Sequence, residues 1–382
     1  MDNKYLTLGH HILREGRSRG DRTGTGTKSI RSAKLVFDMR EGFPLPTTKK
    51  VNLESVFHEL KWILLGRTDV QFLEERKCGF IWRAWSITEP VLRAKRLSGY
   101  EQVRWLRENN PEAYALWVDG KYEQQAEEAG KAFMRQHDVP TEIDIVDMPA
   151  GETNAPYGPR MRAWKARDGS TVDQVEYTLD LLRHNPESRR IMISLWDPAD
   201  MPDESISPQD NVRNGKPCLT PCHWAIEFYT DELTHVERVQ WLVDNNPHIW
   251  DKWVKENGDE HQLDAFLEQH NVPTRYLDLK WHQRSVDFCV GLPYNIASYG
   301  LMLLMYAKTL NMIPRELEFD GTNVHVYKNH TEGLVQQFSR TPRELPIVEI
   351  VNKHDRLEDY EWEDIAVAAY DPHPFIKFDV AV

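Results

Sequence analysis

Pro221-Cys222-His223-Trp224-Ala225-Ile226-Glu227-Phe228-Tyr229 places a thiol immediately before a short run of aromatic and β-branched residues. Such a run reads as a strand, and it sets Cys222 at the edge of a buried sheet. A second run, Ala33 to Met39, has the same character, whereas Val51 to Leu65 and Ile296 to Leu310 read as buried helices. From Tyr5 to Glu15 the apolar positions recur at helical spacing, and Asp21-Arg22-Thr23-Gly24-Thr25-Gly26-Thr27 then interrupts as a glycine-rich loop, a candidate phosphate grip. The class is mixed α and β.

With 382 residues, of which 40% are apolar and 10% aromatic, the chain can bury the core of a globular enzyme. No apolar run approaches the roughly 20 residues that span a bilayer, and Met1-Asp2-Asn3-Lys4 lacks the basic-then-apolar pattern of a signal peptide. A cytoplasmic protein is expected, in the host cytoplasm if a phage encodes it. Cys78, Cys218, Cys222 and Cys289 are too few and too irregularly spaced for a disulfide framework, and no His/Cys cluster has zinc spacing, so free thiols and no metal are expected. A net charge of -13 opposes non-specific binding to a nucleic-acid backbone, so no direct nucleic-acid partner is expected. Any phosphate must be met by local arginines.

Two stretches resemble each other. Val103, Trp105, Leu106, Asn109, Asn110, Pro111 and Trp117 recur 136 positions later as Val239, Trp241, Leu242, Asn245, Asn246, Pro247 and Trp253. After a three-residue slip, Phe133, Gln136, His137, Val139, Pro140 and Thr141 answer Phe266, Gln269, His270, Val272, Pro273 and Thr274. A pair of copies is too few for a solenoid, so residues 98–145 and 233–276 are expected to be helical modules inserted into a single catalytic domain, 1–382. They serve either as structural padding or as a partner-binding surface.

A thiol such as Cys222 becomes a nucleophile only beside a cation that favours the thiolate. Arg22, Arg189, Arg190 and Arg284 are the candidates, each with a planar fork that matches a phosphate monoester. Asp21-Arg22-Thr23-Gly24-Thr25-Gly26, His58-Glu59-Leu60, Ser188-Arg189-Arg190, Pro221-Cys222-His223, Gln283-Arg284-Ser285-Val286-Asp287, Gly291-Leu292-Pro293-Tyr294-Asn295-Ile296-Ala297-Ser298-Tyr299 and His325-Val326-Tyr327 resemble, in the same order, the motifs of the thymidylate synthase family. The resemblance runs from near residue 5 to Val382 and is broken mainly by the two modules.

The resemblance implies an α/β sandwich on a large mixed sheet and a homodimer. It also implies a reaction in which Cys222 adds to carbon 6 of a pyrimidine deoxynucleotide, so that carbon 5 attacks 5,10-methylenetetrahydrofolate. Glu59 and Tyr157 would join Cys222 and Arg284 in catalysis. Arg22, Gln283, Arg284, Ser285 and Asp287 would hold dUMP, with Arg189 and Arg190 reaching over from the second subunit. His325 and Tyr327 would meet the deoxyribose, and Trp82, Asp287, Leu292, Tyr294 and Ala381 would line the folate side. Asn295 stands where cytosine-specific relatives carry aspartate; an amide can donate to uracil O4 and accept from N3–H, so the base is expected to be uracil.

One loop departs from the synthase pattern. Synthases precede the tyrosine-glycine pair with leucine-glycine-proline, whereas Gly151-Glu152-Thr153-Asn154-Ala155-Pro156-Tyr157-Gly158 is more similar to the phage deoxycytidylate hydroxymethylases, which finish with water in place of hydride. Asn154 could hold such a water or could be a turn residue. With Asn295, this loop points to a deoxyuridylate hydroxymethylase; a thymidylate synthase is the alternative, supported by the tail Asp379-Val380-Ala381-Val382. A non-catalytic scaffold is the remote one. Arg83 and Asn323 also depart from the synthase pattern and are assigned to neither outcome.

Overall fold

The structure is a computed structural model and describes residues 1–20, 24–120, 127–256 and 259–379. Its centre is a mixed seven-stranded sheet. Arg275–Gln283 lies antiparallel to His223–Glu232 on one side and parallel to Ile313–Tyr327 on the other, and Ile313–Tyr327 pairs antiparallel with Thr27–Asp38. Arg17–Arg19 and Met192–Ser194 form the edges, and the two-residue strand Val286–Asp287 pairs parallel with Val324 and His325. The mixed α and β class and the large mixed sheet expected from the sequence are both present.

Period-two alternation explains which face is covered. Along Arg275–Gln283, Leu277, Leu279, Trp281 and Gln283 are buried and the residues between them are only partly so. Against this face lies Gly291–Leu310, a helix with thirteen buried residues and no polar side to speak of. It stops at Asn311, which takes the left-handed conformation (φ 54°) that asparagine tolerates better than other non-glycine residues. Trp281 is the keystone of the contact, fully buried and stacked on Tyr299 of the helix at 4.9 Å, with Phe319 of the next strand 5.2 Å away. On the opposite face of the sheet Trp224 (40% exposed) and Tyr229 (64%) remain uncovered in the single chain.

Helices fill both segments in which the sequence repeats. Gly99–Asn109, Pro111–Asp119 and Glu127–Gln136 stand between the strands Val91–Arg96 and Glu142–Met148, which pair with each other outside the main sheet. His235–Asn245, Pro247–Lys255 and Leu263–Gln269 stand between His223–Glu232 and Arg275–Gln283. Each trio has a small apolar cluster of its own, around Leu106, Trp117 and Phe133 in the first and around Leu242, Leu267 and Val272 in the second.

Trp281→Ala should cost about 3–5 kcal/mol, because the neighbouring rings cannot close the cavity it leaves. Thermal unfolding checks this; a melting temperature unchanged from the wild type would show that the sheet and helix are held by something else.

Candidate active site

Antiparallel pairing puts the start of His223–Glu232 beside the end of Arg275–Gln283, with His223 opposite Gln283. Cys222 and Arg284 are the next residues outward, and the Arg284 N–H donates to the Cys222 carbonyl at 2.8 Å. The Arg284 side chain folds back over the segment that carries the thiol: Nε donates to Pro221 O (2.9 Å) and Nη2 to Thr220 O (3.0 Å). A guanidinium has five N–H donors, so the fork is fixed in place with donors to spare for an anion.

Burial pushes the Cys222 thiol above its ordinary range; the Arg284 charge opposes that rise and the Asp287 carboxylate adds to it. Cys222 is nevertheless the accessible thiol, because Cys78, Cys218 and Cys289 are all buried. Burial lifts Cys78 to about 11 and Cys218 to about 12, which leaves them inert near neutrality.

The Tyr157 hydroxyl accepts the Cys222 N–H at 2.9 Å, and burial pushes this phenol well up, so it stays protonated with its own O–H available. His223 is driven down to about 4 by burial, with Asn295 opposing, and is therefore neutral at pH 7; its Nδ1 meets the Tyr299 hydroxyl at 2.9 Å. Glu59 projects from the helix Leu53–Leu64, which Asn52 caps. Its Oε1 accepts from Trp82 Nε1 at 2.8 Å, and burial outweighs that bond and lifts the carboxyl to about 7. Trp82 in turn lies edge-on to Tyr157 at 6.1 Å. Glu59, Trp82, Tyr157 and Cys222 thus form one connected series, and a carboxyl that titrates near 7 suits proton transfer in either direction.

Gln283, Ser285, Asp287, Asn295 and His325 gather at the same end of the sheet. Gln283 Nε2 donates to Ser285 O (3.0 Å) and to Asn295 Oδ1 (3.3 Å), which orients the Asn295 amide and leaves its NH2 free to donate. Asp287 Oδ1 accepts the N–H groups of Cys289 and Val290, at 3.0 and 3.1 Å, pinning the turn into Gly291–Leu310. His325 Nδ1 must be the protonated nitrogen, because its partner at 2.9 Å is the Asn323 carbonyl. Tyr327 lies edge-on to His325 at 5.2 Å and Tyr294 is half-buried, whereas Leu292 is wholly inside the core.

Arg189 and Arg190 do not join this cluster within the chain. Both are exposed, and neither guanidinium is paired among the described residues. Arg22, with its neighbours Asp21 and Thr23, and Ala381 at the tail lie outside the described residues. No group of three or more His, Cys, Asp or Glu is arranged to hold a metal among those described, and none of their helices is long and apolar enough to cross a membrane.

Asn154 sits at φ 46°. Its N–H donates to Glu152 Oε1 (2.7 Å) and its Nδ2 reaches the carbonyls of Val212 (3.4 Å) and Lys216 (3.2 Å). It thereby fixes a turn, with only its carbonyl oxygen uncommitted. The other two departures also have local explanations: Arg83 forks onto Glu74 at 2.6 and 2.5 Å, and Asn323 occupies φ 49°.

Two side chains absent from the sequence reading, Lys49 and His330, hold the C-terminal segment. Lys49 is buried, donates to the Cys289 carbonyl and lies 4.7 Å from the Phe378 ring; burial lowers it to about 8. His330 Nε2 donates to Asp379 O at 2.7 Å. Only the sequence pair Lys49-Lys50, a cation beside an otherwise apolar run, could have flagged the first.

Iodoacetamide should alkylate Cys222 in preference to the three buried thiols. Arg284→Met removes the charge that opposes the rise in thiol pKa, so the pH–rate curve of alkylation should move to higher pH; a curve that stays put would show that the guanidinium does not act on the thiol.

A family profile described as thymidylate synthase matches residues 3–238 and 262–382. A thymidylate synthase of Francisella philomiragia is 31% identical over 379 residues, with 99% of each chain covered, and one of Pseudomonas fluorescens is 30% identical over the same length and coverage.

Proposed function

Because this chain belongs to the thymidylate synthase family, it is a one-carbon transferase, and we propose that it converts dUMP to 5-hydroxymethyl-dUMP. The folate co-substrate, 5,10-methylenetetrahydrofolate, supplies the carbon. Cys222 Sγ adds to carbon 6 of the uracil, and carbon 5 then bonds to the one-carbon unit. Loss of the carbon 5 proton expels the folate nitrogen from the new CH2, which frees tetrahydrofolate and leaves an exocyclic methylene. The oxygen of water bonds to that carbon, and as the carbon 5–carbon 6 double bond re-forms the Cys222 sulfur leaves carbon 6 and a proton returns to the thiol or a base.

The observation that carries the basic chemistry is the clamp of Arg284 over the Cys222 segment, joined through Tyr157 and Trp82 to a carboxyl at about 7. Arg284 and Ser285 would hold the phosphate, with Arg22 and the partner subunit's arginines at positions 189 and 190. Glu59 would move protons at the carbonyl side of the base. The oriented Asn295 amide would donate to O4 and accept from N3–H, selecting uracil. His325 and Tyr327 would meet the sugar. The indole of Trp82, the half-buried Tyr294 and the free oxygen of Asp287 suit a flat, amino-bearing folate ring.

Support for water as the last reactant comes from the Gly-Glu-x-Asn-x-x-Tyr-Gly loop: the residues that depart from the synthase pattern lead directly into Tyr157, whose hydroxyl accepts the Cys222 N–H. A second reading, thymidylate synthase with hydride as the last reactant, is favoured by the commitment of the Asn154 amide to Val212 and Lys216, and by the docking of the tail through His330. Both readings share every step up to the methylene. The exposed Trp224 and Tyr229, on a sheet face that bears Arg189 nearby, favour a homodimer packed sheet to sheet. The two helical modules are proposed as insertions in one catalytic domain, and the enzyme as cytoplasmic.

Mass spectrometry of the nucleotide made from dUMP and methylenetetrahydrofolate, with absorbance followed at the dihydrofolate band, separates the two products. One CH2O unit gained without dihydrofolate is expected. One CH2 unit with stoichiometric dihydrofolate would make this a synthase.

A further inference from the structure

Each helical module stands where a hairpin turn would be, and the same backbone bond closes each: Leu97 N–H to Thr141 O and Leu233 N–H to Thr274 O, both at 2.8 Å. Each opens with a capping box, Ser98 with Glu101 and Thr234 with Glu237. One chain therefore solves the same backbone twice. Residues the module needs to fold should recur, so charged positions that differ between the copies report on something else.

The first module encloses a groove of about 810 Å3. Arg96, Arg104, Arg107, Lys131 and Arg135 line it, with no acidic residue among its described lining. The equivalent positions of the second module carry Glu232, Gln240, Val243, Asp264 and Glu268. There, Asp264 approaches a cation of its own module, Arg238, at 3.7 Å; Arg238 stands at the position of Gln102. The second module thus supplies both charges of a pair, whereas the first gathers cations without that carboxylate. Glu108 bonds Arg104 at 2.9 Å and lies 3.9 Å from Arg107, and Glu128 lies 3.5 Å from Lys131, but no carboxylate pairs with Arg96 or Arg135 among the described residues. Neither Glu108 nor Glu128 lines the groove itself, so its lining keeps a positive surplus that an anion would offset.

Rings accompany the charges. Tyr114 and Trp117 line the groove, and Tyr100 stands at its rim, 81% exposed. Gly130 keeps room beside the indole, since a Cβ there would lie 3.3 Å from Trp117 Cη2. The second module has Leu263 at this position, packed against its apolar cluster.

We propose that this groove is a second anion site that takes a phosphorylated nucleoside, either a free nucleoside polyphosphate or a stretch of single strand. Guanidinium forks match phosphate oxygens, aromatic faces accept any base, and five cations suit more than one phosphate. The chain's charge of -13 is an average that conceals this local field of the opposite sign.

The test uses the full chain with its catalytic site filled by excess dUMP, titrated in one arm with dTTP and in the other with a fluorescein-labelled oligothymidylate. Binding in at least one arm is expected, with affinity falling as salt rises; the arm that binds identifies the free nucleotide or the strand. Arg104→Glu with Arg135→Glu should weaken it by about tenfold or more. Gly130→Leu with Lys131→Asp, which imports residues the second module already folds with, should weaken it comparably. Turnover of dUMP should be unchanged in both variants. The proposal is overturned if neither probe binds, if binding survives both variants, or if inorganic phosphate or polyglutamate competes as well as the nucleotide.

Discussion

Everything at the reacting end depends on the register between His223–Glu232 and Arg275–Gln283. With His223 opposite Gln283, Cys222 and Arg284 emerge side by side and bond through their backbones. A slip of one residue would turn every side chain of one strand to the other face, which would separate the thiol from the guanidinium and expose Trp281. The two strands are joined by the long helical connection between Glu232 and Arg275, so a tight turn cannot set that register. The buried row of Leu277, Leu279 and Trp281 against Gly291–Leu310 sets it instead. Core packing and site geometry are therefore one constraint.

Burial then does the electrostatic work. It pushes Cys222 up, keeps Tyr157 protonated, holds His223 neutral and lifts Glu59 into the neutral range. Of these, only the thiol has a cation set against its rise. A desolvated site with one fixed guanidinium favours an anionic substrate, whose phosphate completes the charge balance that the protein leaves open. The same dryness bears on the final step, because a methylene at carbon 5 meets water only where the surrounding loops admit it.

Much of this was legible in the residues. The runs around Cys222, Ala33 and Ile296 became strand, strand and helix because their periodicity matched the faces they bury. Gln283, Arg284, Ser285, Asp287, Asn295 and His325 lie together because the strand ends, the turn between them and the first turns of Gly291–Leu310 meet at one end of the sheet. Other features needed three dimensions. Nothing local marks Glu59 as a group titrating near 7, since Trp82 and the surrounding burial create that property. Asn154 looked like a polar group near the chemistry, yet its positive φ and its two carbonyl partners some sixty residues away explain it as a turn. Lys49 and His330 were invisible because their partners, Cys289 and Asp379, lie far along the chain. The basic groove was hidden by an acidic total.

The central claim is that Cys222 activates carbon 5 of the base, whichever reactant finishes the reaction. Release of tritium into water from dUMP labelled at carbon 5, in the presence of methylenetetrahydrofolate, measures that step without regard to the product. The account predicts one tritium released per nucleotide converted by the intact chain and none by Cys222→Ala, with dUMP binding retained. Continued release from Cys222→Ala would contradict it.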